Sequence, residues 1–341
     1  MALERLLSHS KITFPVIRQT EPARGINLTL IQRFRKEIRF YNPDLIHIRG
    51  LGNEGFHAAI AARLARVPRI LVSVHGTQRD LLYPPSRLRH LVVKTILEPL
   101  TLRLATHIAT VSECAAKRDF LFPYQHKLVG AVPNGVPIPS IANDNNSKLK
   151  EQHAIPDDYV VGICVSRITK EKGFGVLAEA LKKIDNPEMR LAVLVVGGGD
   201  ENNSIQKEFK NLKHIIVKFA GHQSDIGFFL SGSDFFIFPT LHENLSNALL
   251  EALSYGLPTI ATAVGGNVEV INRGGGLLIE PNDPSTLSEK IQSFTSNPDA
   301  LKKLSTDAKA NILKNYSINH MVDNWNSVYE NILGDSDFFS E

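Results

Sequence analysis

Glu243 and Glu251, eight positions apart in Pro239-Thr-Leu-His-Glu-Asn-Leu-Ser-Asn-Ala-Leu-Leu-Glu251, are the residues of this chain best placed to do chemistry. An ionised carboxylate only accepts hydrogen bonds, so a pair of them suits a ligand rich in hydroxyls, such as a sugar or a ribose. The apolar run Asp234 to Phe238 reads as a strand closed by Pro239. Helical periodicity returns at Ala248, Leu249, Ala252 and Leu253, with Ser246 or Asn247 as the N-cap. Glu243 then falls in a loop at the mouth of a sheet, and Glu251 just over one turn into a helix. A helix amino end presents unpaired N–H groups and partial positive charge, which favours a phosphate. The layout reads as a cradle for a nucleotide-sugar: Glu251 on the ribose, Glu243 on the sugar, and the backbone of Asn244, Leu245, Ser246 and Asn247 between them. A capped surface helix carrying two solvated acids accounts for the same pattern.

A second cluster favours the cradle. Val160 to Val165 reads as a buried parallel strand and runs into Ser166-Arg167-Ile-Thr-Lys-Glu-Lys172-Gly173, after which an amphipathic helix starts near Phe174. Two cations therefore stand at the carboxyl end of a strand, the edge at which open α/β sheets bind ligands. The guanidinium fork of Arg167 can grip phosphate oxygens, and Lys172 adds a compact charge beside the next helix start. Lys170 reads as a solvated neighbour, and taken singly Arg167 and Lys172 are also compatible with plain surface charges.

The elements that must hold these residues are visible as an alternation. Apolar runs near Leu45, Ile70, Ile108, Val129, Val161, Ala192, Ile216, Phe236, Thr259 and Leu277 are each followed by a helix-like segment or a turn. That pattern implies parallel sheets covered by helices. A length of 341 residues with 43% hydrophobic content allows two ordinary domains. The pattern lapses into a polar connector between Pro137 and Asp158, where the boundary is placed. Beyond Pro284 the chain reads as helical to about Leu333, with Trp325 and Tyr329 as anchors of the last helix.

Arg167 with Lys172-Gly173, Val195-Val-Gly-Gly-Gly199, Phe219-Ala-Gly221, Glu243 to Glu251, Ala252-Leu-Ser-Tyr-Gly256-Leu-Pro258 and Val264-Gly-Gly266-Asn-Val-Glu269 occur in that order. Together they resemble the retaining glycosyltransferases of the class called glycosyl transferases group 1, of the family 4 type. The likeness covers nearly the whole second half. In the first half it is thinner, resting on Asn42-Pro-Asp-Leu-Ile-His47, Val72-Ser-Val-His75-Gly76, Val111-Ser112 and Val132-Pro-Asn134-Gly135-Val136. The resemblance implies an α/β protein with two Rossmann-like domains facing across a cleft, the GT-B arrangement, and C-terminal helices crossing back to the first domain. The expected organisation is an acceptor-side domain over 1–138, a linker over 139–158, a nucleotide-sugar domain over 159–320 and a helix with tail over 321–341.

The resemblance also implies roles. Arg167, Lys172, Glu243 and His75 would be catalytic, with Glu243 orienting sugar hydroxyls rather than acting as a base. Asn244 to Asn247, Glu251, Gly199, Gly221, Gly265 and Gly266 would bind the donor, and Asn134 would lie on the acceptor side. Asn134 and the Gly265-Gly266 pair also read as plain turn residues, and His75 as a locally packed loop histidine. Two departures stand out. The family's Glu-Gly-Phe-Gly loop is here Glu243-Asn-Leu-Ser246, and a backbone that needed positive φ would resist Leu245. The sequence given opens near what resembles the first helix or second strand, so the first domain is expected to be incomplete at its start. That motivates a second reading, a catalytically inactive relative that binds a nucleotide-sugar or a partner transferase. A nicotinamide enzyme is a third, but after Gly197 and Gly199 the third fingerprint glycine would fall on Asn202.

Charge is uneven: residues 1–150 hold 22 Lys+Arg against 10 Asp+Glu, while the remainder holds 16 against 25. In Ser86 to Leu97, Arg87, His90 and Lys94 recur at helical spacing beside Leu88, Leu91 and Val92. That face suits either an anionic bilayer surface or plain solvent. Interleaved aromatics of the kind that grip nucleic acid strands are missing from it, so no nucleic-acid partner is expected. Cys114 and Cys164 read as free buried thiols. No spacing suggests a zinc site, and Asp335-Ser-Asp337 sits in a polar tail. The expectation is a cytoplasmic, metal-independent enzyme without a cofactor, working at the inner face of the plasma membrane on a UDP- or GDP-sugar and a glycan or lipid-linked acceptor.

Overall fold

The computed structural model describes residues 15–19, 25–80, 86–139, 145–199 and 201–334. Contacts divide the chain into two compact units, Gly135–Ser317 and a unit formed by the chain up to Asn134 together with the chain from Ile318 on. Asp335 and Asp337 lie outside the described residues.

The first unit is built on a parallel sheet whose four described strands lie side by side in chain order: β1 (Leu45–Arg49), β2 (Arg69–Val74), β3 (His107–Thr110) and β4 (Leu128–Ala131). Helix α1 (Leu28–Tyr41) is capped by Asn27, whose side chain accepts from Leu30 N, and it buries Ile31, Phe34 and Ile38 at three- and four-residue spacing. Helix α2 (Asn53–Ala65) follows β1. Between β2 and β3 run α3 (Arg87–Val92), a π turn (Val93–Leu97) and α4 (Glu98–Leu104). Pro99 has no N–H to give to the preceding turn, and the ladder widens just before it, with Glu98 N–H donating to Val93 O. Short α5 (Glu113–Ala116) buries Ala115 and Ala116, and Cys114 points outward. The expectation of two buried thiols therefore holds only for Cys164, because on so short a helix the alanines take the inward face.

The last helix, α14 (Ile318–Gly334), completes this unit. Met321, Trp325, Tyr329 and Ile332 pack in one cluster with Leu71, Ala109 and Val132 from the sheet. The His47 ring on β1 lies tilted at 46° to the Trp325 ring with centroids 4.6 Å apart, and its Nδ1 lies in a 2.8 Å hydrogen bond with the Tyr329 hydroxyl. Burial, then Arg49 and His75, pull the His47 pKa down to about 3, so the ring is neutral and needs no counter-charge.

The second unit starts inside the expected connector. Helix α6 (Asn146–Gln152) buries Leu149 completely. Its polar flank is also used: Asn145 Nδ2 donates to Ser231 Oγ at 2.8 Å and Asn146 Nδ2 to Gly232 O at 2.9 Å. Residues 145–158 are thus part of the second unit, because side-chain amides satisfy neighbouring polar groups that composition alone marks as solvated.

A six-stranded, all-parallel sheet follows in the order β10-β9-β8-β5-β6-β7. Its strands are β5 (Val160–Val165), β6 (Leu191–Val196), β7 (Ile216–Gly221), β8 (Phe235–Phe238), β9 (Thr259–Thr262) and β10 (Gly276–Ile279). The intervening helices are α7 (Phe174–Ile184), α8 (Asn202–Glu208), α9 (Ile226–Ser231), α10 (Asn247–Ser254) and α11 (Gly266–Asn272), with α12 (Pro284–Ser296) and α13 (Pro298–Asn315) after the sheet. β6 is buried at every residue, as befits a strand covered on both faces. From β5 the chain winds outward through β6 and β7, then returns to β8 on the other side of β5. The β5/β8 boundary is therefore the topological switch point, the place at which open α/β sheets bind ligands.

Trp325→Ala is expected to cost the first unit about 3 to 5 kcal/mol, read as an earlier urea transition.

Candidate functional site

The loop after β5, Ser166 to Gly173, and the loop after β8, Pro239 to Ser246, leave the sheet on either side of the switch point. Backbone contacts lock them together. Leu241 N donates to Glu171 O at 2.8 Å. Gly173, at φ 73°, lies so close to Pro239 that an added Cβ would sit 1.8 Å from its carbonyl oxygen. A third loop joins from β9: Gly265, at φ 51°, would place a Cβ 1.7 Å from Glu243 O, and Gly266 N donates to Asn244 O at 2.9 Å. Both glycines serve the approach of the Glu243–Asn244 backbone, a role neither sequence alternative named. On the far side, Gly199 would meet Ile168 O at 2.3 Å, so the loop after β6 packs on the one carrying Arg167. Gly221, at φ 70°, ends β7 with open space where a Cβ would be.

Across this frame Lys172 Nζ and Glu243 Oε2 form a 2.9 Å ion pair, with side chains 15% and 18% exposed. The ammonium also stands 5.7 Å over the Phe238 ring, a cation–π contact that helps hold it. Lys172 has three N–H donors, so it can keep Glu243 and still offer donors to a ligand. The sequence-derived residues thus converge in part. Lys172 and Glu243 meet directly, whereas Arg167 is exposed on its own loop and Glu251 is half-buried on α10. Glu251 and Asp225 both act electrostatically on the Tyr255 hydroxyl, whose pKa is raised by burial first and then by these acids.

The departures in the Glu243-Asn-Leu-Ser246 loop carry no backbone strain. Neither Asn244 nor Leu245 has positive φ, and Leu245 is buried. Ser246 is the N-cap, its side chain accepting from Leu249 N, which leaves Asn247 as the first helical residue. Burial raises the Glu251 carboxyl above its ordinary value.

In the first unit His75 follows β2. Arg49 Nε donates to His75 Nε2 at 3.3 Å, with Ser73 Oγ at 3.2 Å from the same nitrogen. Nε2 is then the acceptor and Nδ1 carries the proton. Burial and Arg49 lower the His75 pKa to about 4, so the ring is neutral near pH 7. Asn134 and His75 line one cavity of about 390 Å³ together with His47, Arg49, Trp325 and Tyr329. The sequence reading missed Arg49 and gave Tyr329 only as an anchor of the last helix; the alternation His47-Ile-Arg49 at a strand end was the available signal. Among the described residues no cluster of His, Cys, Asp and Glu is arranged to hold a metal ion.

Two parallel-sheet units, with a switch-point crevice in the second flanked by a Lys–Glu pair, define a GT-B glycosyltransferase. Family models agree: residues 145–311 match glycosyl transferases group 1 and residues 5–138 match glycosyltransferase family 4. The chain belongs to the group 1 glycosyltransferases. It is 25% identical to the capsular polysaccharide biosynthesis glycosyltransferase CapM of Staphylococcus aureus, over 91% of this chain and 81% of that one. It is 29% identical to an Escherichia coli UDP-Gal:alpha-D-GlcNAc-diphosphoundecaprenol alpha-1,3-galactosyltransferase, over 89% and 78%. Among solved structures, a Rickettsia africae glycosyltransferase superposes with a TM-score of 0.72 at 23% identity, over 98% of this chain and 88% of that one. Anabaena HepE bound to UDP-glucose gives 0.73 at 19%, over 98% and 89%. These structural likenesses are ones of fold.

Because the folded-state pKa of Glu251 is raised, the native protein takes up this proton more readily than the unfolded chain. Its contribution to stability therefore falls as pH rises past the ordinary glutamate value. Glu251→Gln is expected to remove that slope and to leave the free protein more stable at neutral pH, measured by denaturant melts across pH, while weakening binding of a nucleotide-sugar.

Proposed function

We propose that this protein transfers a hexose from a UDP-sugar to a glycan or lipid-linked acceptor, with retention of configuration, in the synthesis of a cell-surface polysaccharide or glycolipid. The Lys172–Glu243 pair at the switch point carries the reading. Support for the donor class comes from a galactosyltransferase relative named for UDP-Gal and a structural neighbour holding UDP-glucose.

The donor diphosphate lies against Lys172, Arg167 and the amino end of α10, with its sugar at Glu243 and its ribose at Glu251. As the bond from the anomeric carbon to the phosphate oxygen breaks, the sugar becomes oxocarbenium-like and negative charge grows on the leaving phosphate. The two cations and the helix N–H groups stabilise that charge most in the transition state. The acceptor oxygen attacks from the leaving-group side, forms the new glycosidic bond and passes its proton to a phosphate oxygen of the nucleoside diphosphate. No protein base is needed. Glu243, pinned by Lys172, orients sugar hydroxyls, and neutral His75 lines the cavity of the first unit together with Asn134. Charge neutralisation falls to Arg167 and Lys172, so the chemistry requires no metal ion and no other cofactor.

Release of nucleoside diphosphate from UDP-sugars, with candidate acceptors, is expected to fall at least about 100-fold in Glu243→Ala and Lys172→Ala and to survive EDTA. A melt in which UDP-sugars, GDP-sugars and UDP at high concentration all leave the transition unchanged would remove the donor assignment, since a ligand at a hundred times its dissociation constant adds about 2.7 kcal/mol. Saturable binding of a UDP-sugar without release by any acceptor would favour the inactive relative.

A membrane-proximal acceptor is supported by the face of α3 and the π turn. Leu88, Leu91 and Ile96 are 74%, 55% and 55% exposed beside the basic Arg87, Arg89 and Lys94. Among the described residues no helix is long and apolar enough to cross a membrane. The proposed contact is a surface one, on the inner leaflet, with the protein in the cytoplasm. Co-sedimentation with vesicles containing phosphatidylglycerol is expected to exceed that with phosphatidylcholine alone, to weaken with salt, and to drop in Leu88→Asp/Leu91→Asp.

A further inference from the structure

The loop that carries Lys172 is held on two sides, on one of them by a side chain from another part of the sheet. Lys170–Lys172 form a single 3-10 turn, closed by Lys172 N donating to Thr169 O at 3.0 Å and Gly173 N to Lys170 O at 3.1 Å. On the β8 side Glu171 O accepts from Leu241 N. On the β6 side the N–H that opens the turn, that of Lys170, donates to Glu201 Oε2 at 2.6 Å, from a residue 31 positions away. Two nearer arrangements are passed over. Thr169 stands at the N-cap of the turn, where a hydroxyl commonly accepts from a free N–H, yet its side chain caps nothing and its Oγ1 is buried without a partner among the described residues. Glu201 stands at the N-cap of α8, and its carboxylate does not cap that helix either. It is given instead to the neighbouring loop. The N–H groups at the start of a turn are orphan donors, and an ionised carboxylate is the strongest side-chain acceptor for one.

We infer that Glu201 is a positioning residue for Lys172, holding the turn so that the ammonium stays where negative charge grows on the leaving phosphate. Lys172 lies two residues beyond the bond that Glu201 accepts, and its ammonium is the one paired with Glu243. The other attachment to the loop after β6, Ile168 N on Gly198 O at 3.0 Å, lies ahead of the turn and leaves the turn itself free to shift. Glu201 is bonded to backbone and acts through Lys172 alone. A displaced ammonium still attracts a diphosphate, but it loses the alignment that counts in the transition state. The loss therefore appears in kcat with KM little changed. The inference rests on the transfer reading for what Lys172 does, and adds the residue that fixes it in place.

For the UDP-sugar that the wild type turns over fastest, Glu201→Ala is expected to lower kcat about tenfold, the lower end of what a hydrogen bond to a charged group is worth, with KM within about threefold. Glu201→Gln keeps an oxygen that can accept the same N–H and is expected to restore kcat to within about threefold of the wild type. Amide hydrogen exchange over residues 166–173 is expected to quicken about tenfold in Glu201→Ala and less in Glu201→Gln, with the urea transition of both variants where it is in the wild type. An unchanged kcat in Glu201→Ala, a loss that falls on KM alone, an equal loss in Glu201→Gln, or exchange over 166–173 that does not respond would each overturn the inference. So would an earlier urea transition in Glu201→Ala, which would make the role one of general stability. A wild type that releases UDP while Glu201→Ala matches it loses this inference alone. A wild type that releases no nucleoside diphosphate from any UDP-sugar loses the transferase reading, and this role with it.

Discussion

The ion pair between Lys172 and Glu243 is the constraint around which the second unit is organised. Its two partners are 71 residues apart in the chain, and they meet only because β5 and β8 are neighbours in the sheet and the loops that follow them pack against each other. An ammonium and a carboxylate this shielded from water need a fixed geometry to offset their lost hydration. The geometry is fixed by backbone rather than by side chains. Gly173 against Pro239 and Gly265 against Glu243 bring three loops to separations that no residue with a Cβ would allow. The charges sit on a block of main chain that holds its shape before any ligand arrives, which is the preorganisation that electrostatic stabilisation of a leaving phosphate requires.

The first unit solves a different problem. It places His47 on β1 and His75 just after β2, and both are kept neutral by burial and by the charge of Arg49. Neutral imidazoles can be buried beside a guanidinium at little cost, whereas protonated ones would repel it. Among the described residues that line the cavity Arg49 is the only charged side chain, and it also decides which nitrogen of His75 bears the proton. One side chain sets both the field and the tautomer.

Much of this was legible from residue order. Parallel sheets follow from apolar runs alternating with helical periodicity, and Ser246 is a cap because a short hydroxyl side chain precedes an amphipathic stretch. Glu243 and Lys172 could be placed at strand ends, since a strand closed by Pro239 and a strand running into a cationic loop both announce their carboxyl edge. What was not legible depended on contacts distant in sequence. The reason Gly265 is glycine lies in the position of Glu243 O, 22 residues earlier. The stretch before Asp158 reads as linker by composition, yet Asn145 and Asn146 dock onto groups at Ser231 and Gly232. Cys114 was misread because an apolar neighbourhood in sequence does not say which side of a four-residue helix faces in.

The last helix has a consequence for how the molecule is made. Its residues Met321, Trp325 and Tyr329 cover Leu71 and Ala109, strand residues from the earliest third of the chain. During synthesis that face stays bare until α14 emerges from the ribosome, whereas the residues of Gly135–Ser317 have all been made before then. The usual amino-to-carboxyl order of domain folding is therefore inverted. The part translated first is the part finished last, and its uncovered apolar face is what a chaperone would meet while the nascent protein waits.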